Sequence, residues 1–214
     1  MSKYSRTYHL TNSPGLQNDD RHQKDISNLI GTQIVILEKL DGENTGIETN
    51  GVYARSHATY AVKPWNVLVR QLHNMIGKDI PEDVMLFGEN MEGIHSIEYT
   101  NLDSFFYLFG VRDKNKFLTW REVEEYSYIL DIKLVPILFK GSVESEEELF
   151  NLVEDLSSGE SKLGGKMEGV VVRVQGSFDQ ENFQNNVVKW VRKDHVQTDE
   201  HWTKNWKRAK INYR

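Results

Sequence analysis

Four charged side chains stand at the ends of apolar runs or inside them. Lys39 follows Ile34-Val35-Ile36-Leu37, Glu89 follows Val84–Gly88, Glu168 precedes Gly169–Arg173, and Lys189 lies within "NVVKWVR". Burying an unpaired charge is expensive. Each is therefore a strand end emerging into water or a group held at the mouth of a pocket. Lys39 is the sharpest case, because "EKLDGEN" breaks from a core strand at once. An Asp-Gly turn carrying a solvated lysine fits that stretch, and so does an amine nucleophile fixed at the strand end. Interleaved with Arg55, Arg173 and Arg192, the four charges suggest one polar cleft shared by two sheets.

The elements that must position them are legible in outline. A strand is expected at Gln33–Leu40, then a hairpin over "GIETNGVYARS", where Asn50-Gly51 suits a type I′ turn. Pro64 suits the first position of a helix running to about Ile76, with Trp65, Leu68, Val69, Leu72, Met75 and Ile76 on one face and Gly77 ending it. "VMLFGEN" and "FFYLFGVRD" read as strands, with a turn at Lys114-Asn115. Thr119 and Glu122, and again Ser145 and Glu148, have the capping-box spacing that opens a helix. "KLVPILF" reads as an edge strand, since Pro136 has no N–H for a ladder. "SSGESKLGGK" reads as a flexible loop, and "EGVVVRV" and "NVVKWVR" as closing strands. Strands that mostly meet strands, with a few helices between, predict an α+β domain of antiparallel sheets.

The bulk properties narrow the class. The 214 residues suit one domain, with an irregular segment over 1–30 and a basic tail over 194–214. There is no cysteine, which excludes disulfides and thiolate chemistry. No apolar run approaches a membrane span, and "MSKYSRTYHL" lacks the apolar core of a signal peptide, so a cytoplasmic protein is expected. The net charge of −6 argues against a protein coated in positive charge. From Val187 to Arg214, however, eight Lys/Arg face three Asp/Glu, a local +5 that leaves −11 on the rest. Such an end suits a phosphate backbone.

The order of the motifs carries a resemblance. "EKLDG", with Lys39, Asp41 and Gly42, resembles the lysine motif of the covalent nucleotidyltransferases, the superfamily of DNA ligases, RNA ligases and capping enzymes. "LFGENMEG", "FYLFGVRD", "MEGVVVR" and "VVKWVRK" resemble the later motifs, in the same order, over roughly Ile34 to Arg192. "FGE", "FYLFGV" and Asn44, five positions after Lys39, are most similar to RNA ligases, particularly phage enzymes that seal nicks in duplex RNA.

The resemblance implies a nucleotidyltransferase (ATP-grasp-like) fold with the nucleotide between the sheets. It implies ATP as AMP donor, Mg²⁺ or Mn²⁺ as cofactor, and RNA ends as substrate in RNA repair, in a bacterium or phage-infected cell. A separate end-healing kinase-phosphatase is a conceivable partner, and no membrane is. Lys39 would be the nucleophile. It must be neutral to attack, and desolvation and a bound cation would both lower its pKa. Glu38 would read the adenine edge, Arg55 would contact phosphate or ribose, Glu89 would bind ribose hydroxyls, and Phe109 would stack on the base. Asp41, Gly42 and Asn44 belong to the nucleotide site. Glu168, with Asn44, would hold the metal, and Lys189 would neutralise the α-phosphate.

One departure stands out. The duplex-sealing ligases carry a second lysine two residues on, where this chain has Val191; Arg192 could substitute only across a bend or bulge. Too few residues follow for an OB-fold domain, so RNA contacts would fall to Arg192, Lys193, Lys204, Lys207, Arg208 and Lys210, with Trp202 and Trp206 stacking on bases or instead docking the tail on the core. His57 and His95 could lie near the site. A small DNA ligase, a capping-type guanylyltransferase and a non-catalytic nucleic-acid-binding relic of the fold are the alternatives.

Overall fold

The computed structural model describes residues 4–16, 20–54, 60–193 and 202–212. In chain order the strands and helices are β1 (Tyr8–His9), β2 (Ile34–Lys39), β3 (Glu43–Glu48), β4 (Gly51–Ala54), α1 (Val67–Ile76), β5 (Val84–Asn90), β6 (Gly93–Ile94), β7 (Phe106–Asp113), β8 (Lys116–Phe117), α2 (Trp120–Ile129), β9 (Lys133–Leu134), β10 (Ile137–Gly141), α3 (Glu146–Ser157), β11 (Gly169–Val174), β12 (Phe178–Asp179), α4 (Phe183–Asn186), β13 (Val187–Val191) and β14 (Lys207–Arg208). The fold is α+β, as expected. No helix among the described residues is long and apolar enough to cross a membrane.

Two sheets face one another. The first runs β1-β13-β11-β2-β10; the second runs β12-β8-β7-β5-β3-β4, with β9 beside β7. The central pairings are antiparallel, and β1 with β13 and β7 with β9 add two parallel ones. The period-2 alternation of strands divides the core. Val35 and Leu37 join a cluster with Ile47, Leu86, Val111 and α2's Trp120 and Val123. Ile34 and Ile36 join Val170, Val172 and α3's Leu149 and Val153. Phe109 packs against both clusters.

Both capping boxes open helices. Thr119 Oγ1 accepts from the Glu122 amide at 3.2 Å while Glu122 Oε2 accepts from the Thr119 amide at 2.8 Å, and Ser145 Oγ accepts from the Glu148 amide at 3.1 Å. Several expectations change in detail. "KLVPILF" is two strands rather than one. It leaves the second sheet after β9 and enters the edge of the first as β10, with Pro136, which cannot donate, at the crossing. The β3–β4 turn is not type I′: Thr49 and Asn50 connect the strands without a positive φ. Gly51 is instead the first residue of β4, where a Cβ would meet the Tyr60 ring at 2.6 Å. The first turn after Pro64 is a 3-10 turn before α1, and Met75 is exposed rather than on the buried face. "SSGESKLGGK" is a tied turn: Gly164 and Gly165 take positive φ, the Ser161 amide donates to the Gly165 carbonyl, and Leu163 is buried. Residues 4–16 and 20–30 are anchored as well, through β1 and the buried Leu10, Ile26 and Leu29.

Candidate active site

Between the sheets lies a cavity of about 510 Å³. Its floor is the first sheet. Register pairs Leu37 with Val171 and Val171 with Lys189, while Lys39 and Val191 flank Gly169. Leu37, Lys39, Val171, Arg173 and Lys189 therefore share one face, and all five line the cavity. The second sheet contributes Asn44, Glu89 and Phe109.

Lys39 Nζ lies 2.8 Å from Glu168 Oε1. Glycines permit this approach. At Gly169, next to the carboxylate, a Cβ would come 2.1 Å from the Trp190 carbonyl oxygen. At Gly42 it would come 2.6 Å from Met91 Sδ and 2.7 Å from the Asn90 carbonyl oxygen, and the Gly42 amide donates to Glu89 Oε1 at 3.2 Å. The Lys-x-Asp-Gly and Glu-Gly pairings are thus steric requirements of strands that run this close.

The electrostatics reverse one expectation. Burial pulls the Lys39 pKa down, but Glu168, Glu89 and Asp41 together outweigh it and hold the amine above the ordinary lysine value. The ammonium is favoured in the protein alone because three carboxylates converge on it. Burial, with Glu168 and Asp41 adding and Lys39 opposing, pushes the Glu89 carboxyl up to about 8. Burial likewise raises Glu168, against the pull of Lys39. Lys189 moves down, first through burial and then through repulsion by Lys39, with Asp20 opposing.

The remaining expected residues fall in different places. Glu38 borders the cavity; its Oε2 accepts from the Lys162 amide at 3.0 Å, and its buried Oε1 has no partner among the described residues. Asp41 does not line the cavity. Its Oδ2 accepts from the Ser96 amide, the Ser96 hydroxyl and the Ile97 amide at 2.7–2.8 Å, so it holds the loop that carries His95 to the wall. Arg55 and His57 lie outside the described residues. Arg192 is not in the cleft: β13 runs without a bulge to the buried Val191, and Arg192 Nε donates to the Met167 carbonyl at 2.8 Å. Lys193, Lys204, Lys207 and Lys210 are exposed. Arg208 pairs with the fully buried Glu92 at 2.8 Å.

Sequence reasoning missed the N-terminal segment, and of the two readings of the tail, RNA contact or docking on the core, Trp202 follows the second. Tyr4, Ser5, Arg6, Thr7 and Asp20 wall one side of the cavity, and Trp202 and Thr203 another. Tyr4 packs edge-on against Phe109 at 5.1 Å. Trp202 stacks on His95 at 3.8 Å and meets Trp65 at 4.7 Å, so it docks on the domain. Arg173, read as a cleft charge, does border the cavity, but as a buried strut: its guanidinium lies 5.7 Å from the Trp120 ring and donates to the Leu118 carbonyl at 2.8 Å.

A partly buried amine paired with a carboxylate, beside a second lysine, an aromatic ring and a further carboxylate, is equipped to hold a nucleotide and attack its phosphate. The RNA ligase family model matches residues 32–191, most of the chain. This chain belongs to the RNA ligase family. No curated protein matches its sequence. Among solved structures, the domain is similar to an archaeal ATP-dependent RNA ligase, form 1 (TM-score 0.61, 15% identity, 90% of this chain and 48% of that one). It is also similar to a Naegleria gruberi RNA ligase mutant with AMP and Mn (TM-score 0.61, 19% identity, 90% and 56%), and to another mutant of that ligase with ATP and Mn (TM-score 0.55, 20% identity, 90% and 60%). The chain thus spans about half to three-fifths of the length of these ligases.

The cavity also fits a divalent cation of the magnesium type. Glu168 Oε2 is buried and lacks a partner among the described residues, a costly state that a cation or a metal-bound water relieves. No three His, Cys, Asp or Glu side chains gather as a metal cage among the described residues. That matches an ion held by one carboxylate, waters and phosphate oxygens.

Proposed function

We propose that this domain is the nucleotidyltransferase core of an ATP-dependent RNA ligase, which joins 3′-hydroxyl and 5′-phosphate RNA ends through lysyl-AMP and RNA-adenylate. The observation that supports it most is the Lys39–Glu168 pair on the cleft floor, with Lys189 on the same face and Glu89 and Phe109 opposite. In the first step Lys39 Nζ, having lost its proton, bonds to the α-phosphorus of ATP as the α–β bridging bond breaks and pyrophosphate leaves. In the second, an oxygen of the RNA 5′-phosphate displaces the amine from phosphorus. In the third, a 3′-hydroxyl attacks that 5′-phosphate and AMP departs.

The roles follow from place. β2 fixes the Lys39 amine, and position is most of what phosphoryl transfer asks of a protein. Lys189 offers a positive charge to the oxyanions. Protonated in the resting protein, Glu89 is able to donate to a ribose oxygen as well as accept from a hydroxyl. Phe109 offers a flat face for adenine, and Glu38 Oε1 a free acceptor for its amino group. A Mg²⁺ or Mn²⁺ at Glu168, near Asn44, would supply the positive charge that turns the Lys39 ammonium into an amine and polarises the α-phosphate.

Mass spectrometry tests this directly. Protein stripped of nucleotide and incubated with ATP and Mg²⁺ should gain one AMP, Lys39→Ala should gain none, and GTP should not substitute. Folded, stripped protein that takes up no AMP would rule the reading out. Nicked RNA offered beside nicked DNA then reads the strand preference.

A further inference from the structure

The N-terminal segment brings into the cleft a carboxylate that the ligase reading leaves without a task. Asp20 lines the cavity and is 14% exposed. Its Oδ1 lies 3.3 Å from Lys189 Nζ and 3.7 Å from Arg6 Nη2, and its Oδ2 lies 3.0 Å from His9 Nε2. His9, 1% exposed, is braced from behind: its Nδ1 is 2.8 Å from Ser13 Oγ, which accepts from the Val191 amide at 2.9 Å. The backbone fixes the same arrangement. β1 pairs His9 with Lys189, the His9 amide donates to the Arg21 carbonyl at 2.8 Å, and the Gln23 amide donates to the His9 carbonyl at 2.7 Å. Asp20 is thus located from both flanks and delivered to the Lys189 ammonium, with the Arg6 guanidinium farther off.

On charge alone, a carboxylate here is a handicap, because it repels the phosphates the cleft would admit. His9 does not cancel it. Burial and the neighbouring Lys189 push the imidazole down to about 4, so it is neutral and stands 3.0 Å from Asp20 Oδ2 as a fixed, uncharged wall. What Asp20 offers is aim. Lysine is a point charge on a flexible four-carbon stem, and a misplacement of about 1 Å at a phosphoryl-transfer site can cost orders of magnitude in rate. We propose that Asp20, held by His9, is a positioning residue for Lys189, restraining its ammonium in the cleft so that it meets the developing oxyanion during AMP transfer. The inference rests on the ligase reading.

Rate and affinity separate this from the simpler explanations. In Asp20→Asn, AMP transfer to Lys39 at saturating ATP should fall about tenfold, the scale of one charge-assisted hydrogen bond. ATP affinity, measured in a Lys39→Ala background where no bond forms, should stay the same or tighten. With Lys189→Met already present, Asp20→Asn should cost less than about twofold, since residues acting through one another are not additive. Asp20→Glu keeps the charge but shifts the carboxylate by one methylene, and should lose about threefold in rate with affinity intact. It decides the matter should Asp20→Asn not fold.

A faster or unchanged Asp20→Asn overturns the inference. So does a loss matched by weaker ATP binding, which would mean that Tyr4, Ser5 and Thr7 had moved, and so does full additivity with Lys189→Met. Wild-type protein that takes no AMP removes the ligase reading and this inference together. Wild-type protein that does, with Asp20→Asn equally fast, removes the inference alone.

Discussion

The cleft has two kinds of wall. Its floor is three neighbouring strands of one sheet, and the Lys39–Glu168 pair joins β2 to the residue preceding β11 at 2.8 Å. Its sides at either end are chain segments with little regular structure, and there the Lys189–Asp20 pair joins β13 to the N-terminal segment at 3.3 Å. Both are lysine–carboxylate pairs, yet their charges are tuned in opposite directions. Carboxylates converging on Lys39 raise it, while burial and Lys39 itself lower Lys189. The floor supplies the reacting groups by strict alternation, and the terminal segments decide how those groups are aimed and enclosed.

The largest expected effect removes a floor charge without touching the nucleophile. Lys189→Met should slow AMP transfer by about 10²–10³, roughly 3–4 kcal/mol, with Lys39 and its pair intact. Single-turnover formation of the adduct measures it. A loss under tenfold would mean that the floor holds one essential lysine rather than two, and the contrast between the pairs would collapse.

Glu89→Gln tests whether the second sheet, facing the floor, trades stability for function. The Glu89 carboxyl titrates near 8 in the folded protein against an ordinary 4.5. Between those pH values the unfolded chain ionises and the folded one does not, so stability falls as pH rises through that window. Glutamine carries no such penalty. Nucleotide-free Glu89→Gln should therefore be more stable than wild type by about 4 kcal/mol at pH 8, with the advantage gone by pH 4, while AMP transfer drops. Thermal melting at the two pH values decides; equal melting at pH 8 would show Glu89 ionised at no cost.

The same division explains what the sequence discloses. Charges flanking apolar runs are local signals, and register alone places Lys39, Val171 and Lys189 on one face. Asp20 sits in "NDDRHQKD", a run that reads as a loop, and its partner is 169 positions away. Trp202 is half legible: docking of the tail by its tryptophans is one of the two readings the sequence offers, but nothing near it points to His95 or Trp65 as partners. The Lys39 pKa goes the other way from the strand-end argument because the carboxylates around it come from three separate parts of the chain. Pro136 marks an edge correctly, but that one edge strand is really a passage between two sheets is a matter of topology. Val191 is buried core, which leaves Arg192 no route to the cleft.

His9 gives a smaller effect confined to the N-terminal wall. Its folded pKa of about 4 lies below the ordinary 6.5. As pH falls through that interval, the unfolded chain gains a proton that the folded chain refuses, and stability is lost. Between pH 7 and pH 5 wild type should lose about 2 kcal/mol more than His9→Gln, which keeps a neutral polar group beside Asp20. Denaturant melts at both pH values read the difference. Parallel losses would mean that the imidazole accepts its proton beside Asp20 and that the neutral brace does not exist.

The smallest effect probes the opposite wall. Arg208 is half exposed, but Glu92, its partner, is wholly buried and also accepts from the Leu68 amide at 2.8 Å. The pair sits beside the β14–β6 pairing and the tryptophan contacts that seat Trp202 and Thr203 at the cavity. A half-exposed ion pair is worth up to about 1 kcal/mol, and truncating one side leaves a buried carboxylate with less compensation. Arg208→Met should lower stability by about 1 kcal/mol and weaken ATP binding in a Lys39→Ala background about twofold. AMP transfer at saturating ATP should be unchanged, because no reacting group moves. If the variant instead binds adenylylated nicked RNA less tightly with ATP affinity intact, Arg208 reaches RNA rather than bracing the wall. The two terminal segments would then differ in kind, one shaping the nucleotide site and the other gripping the polynucleotide.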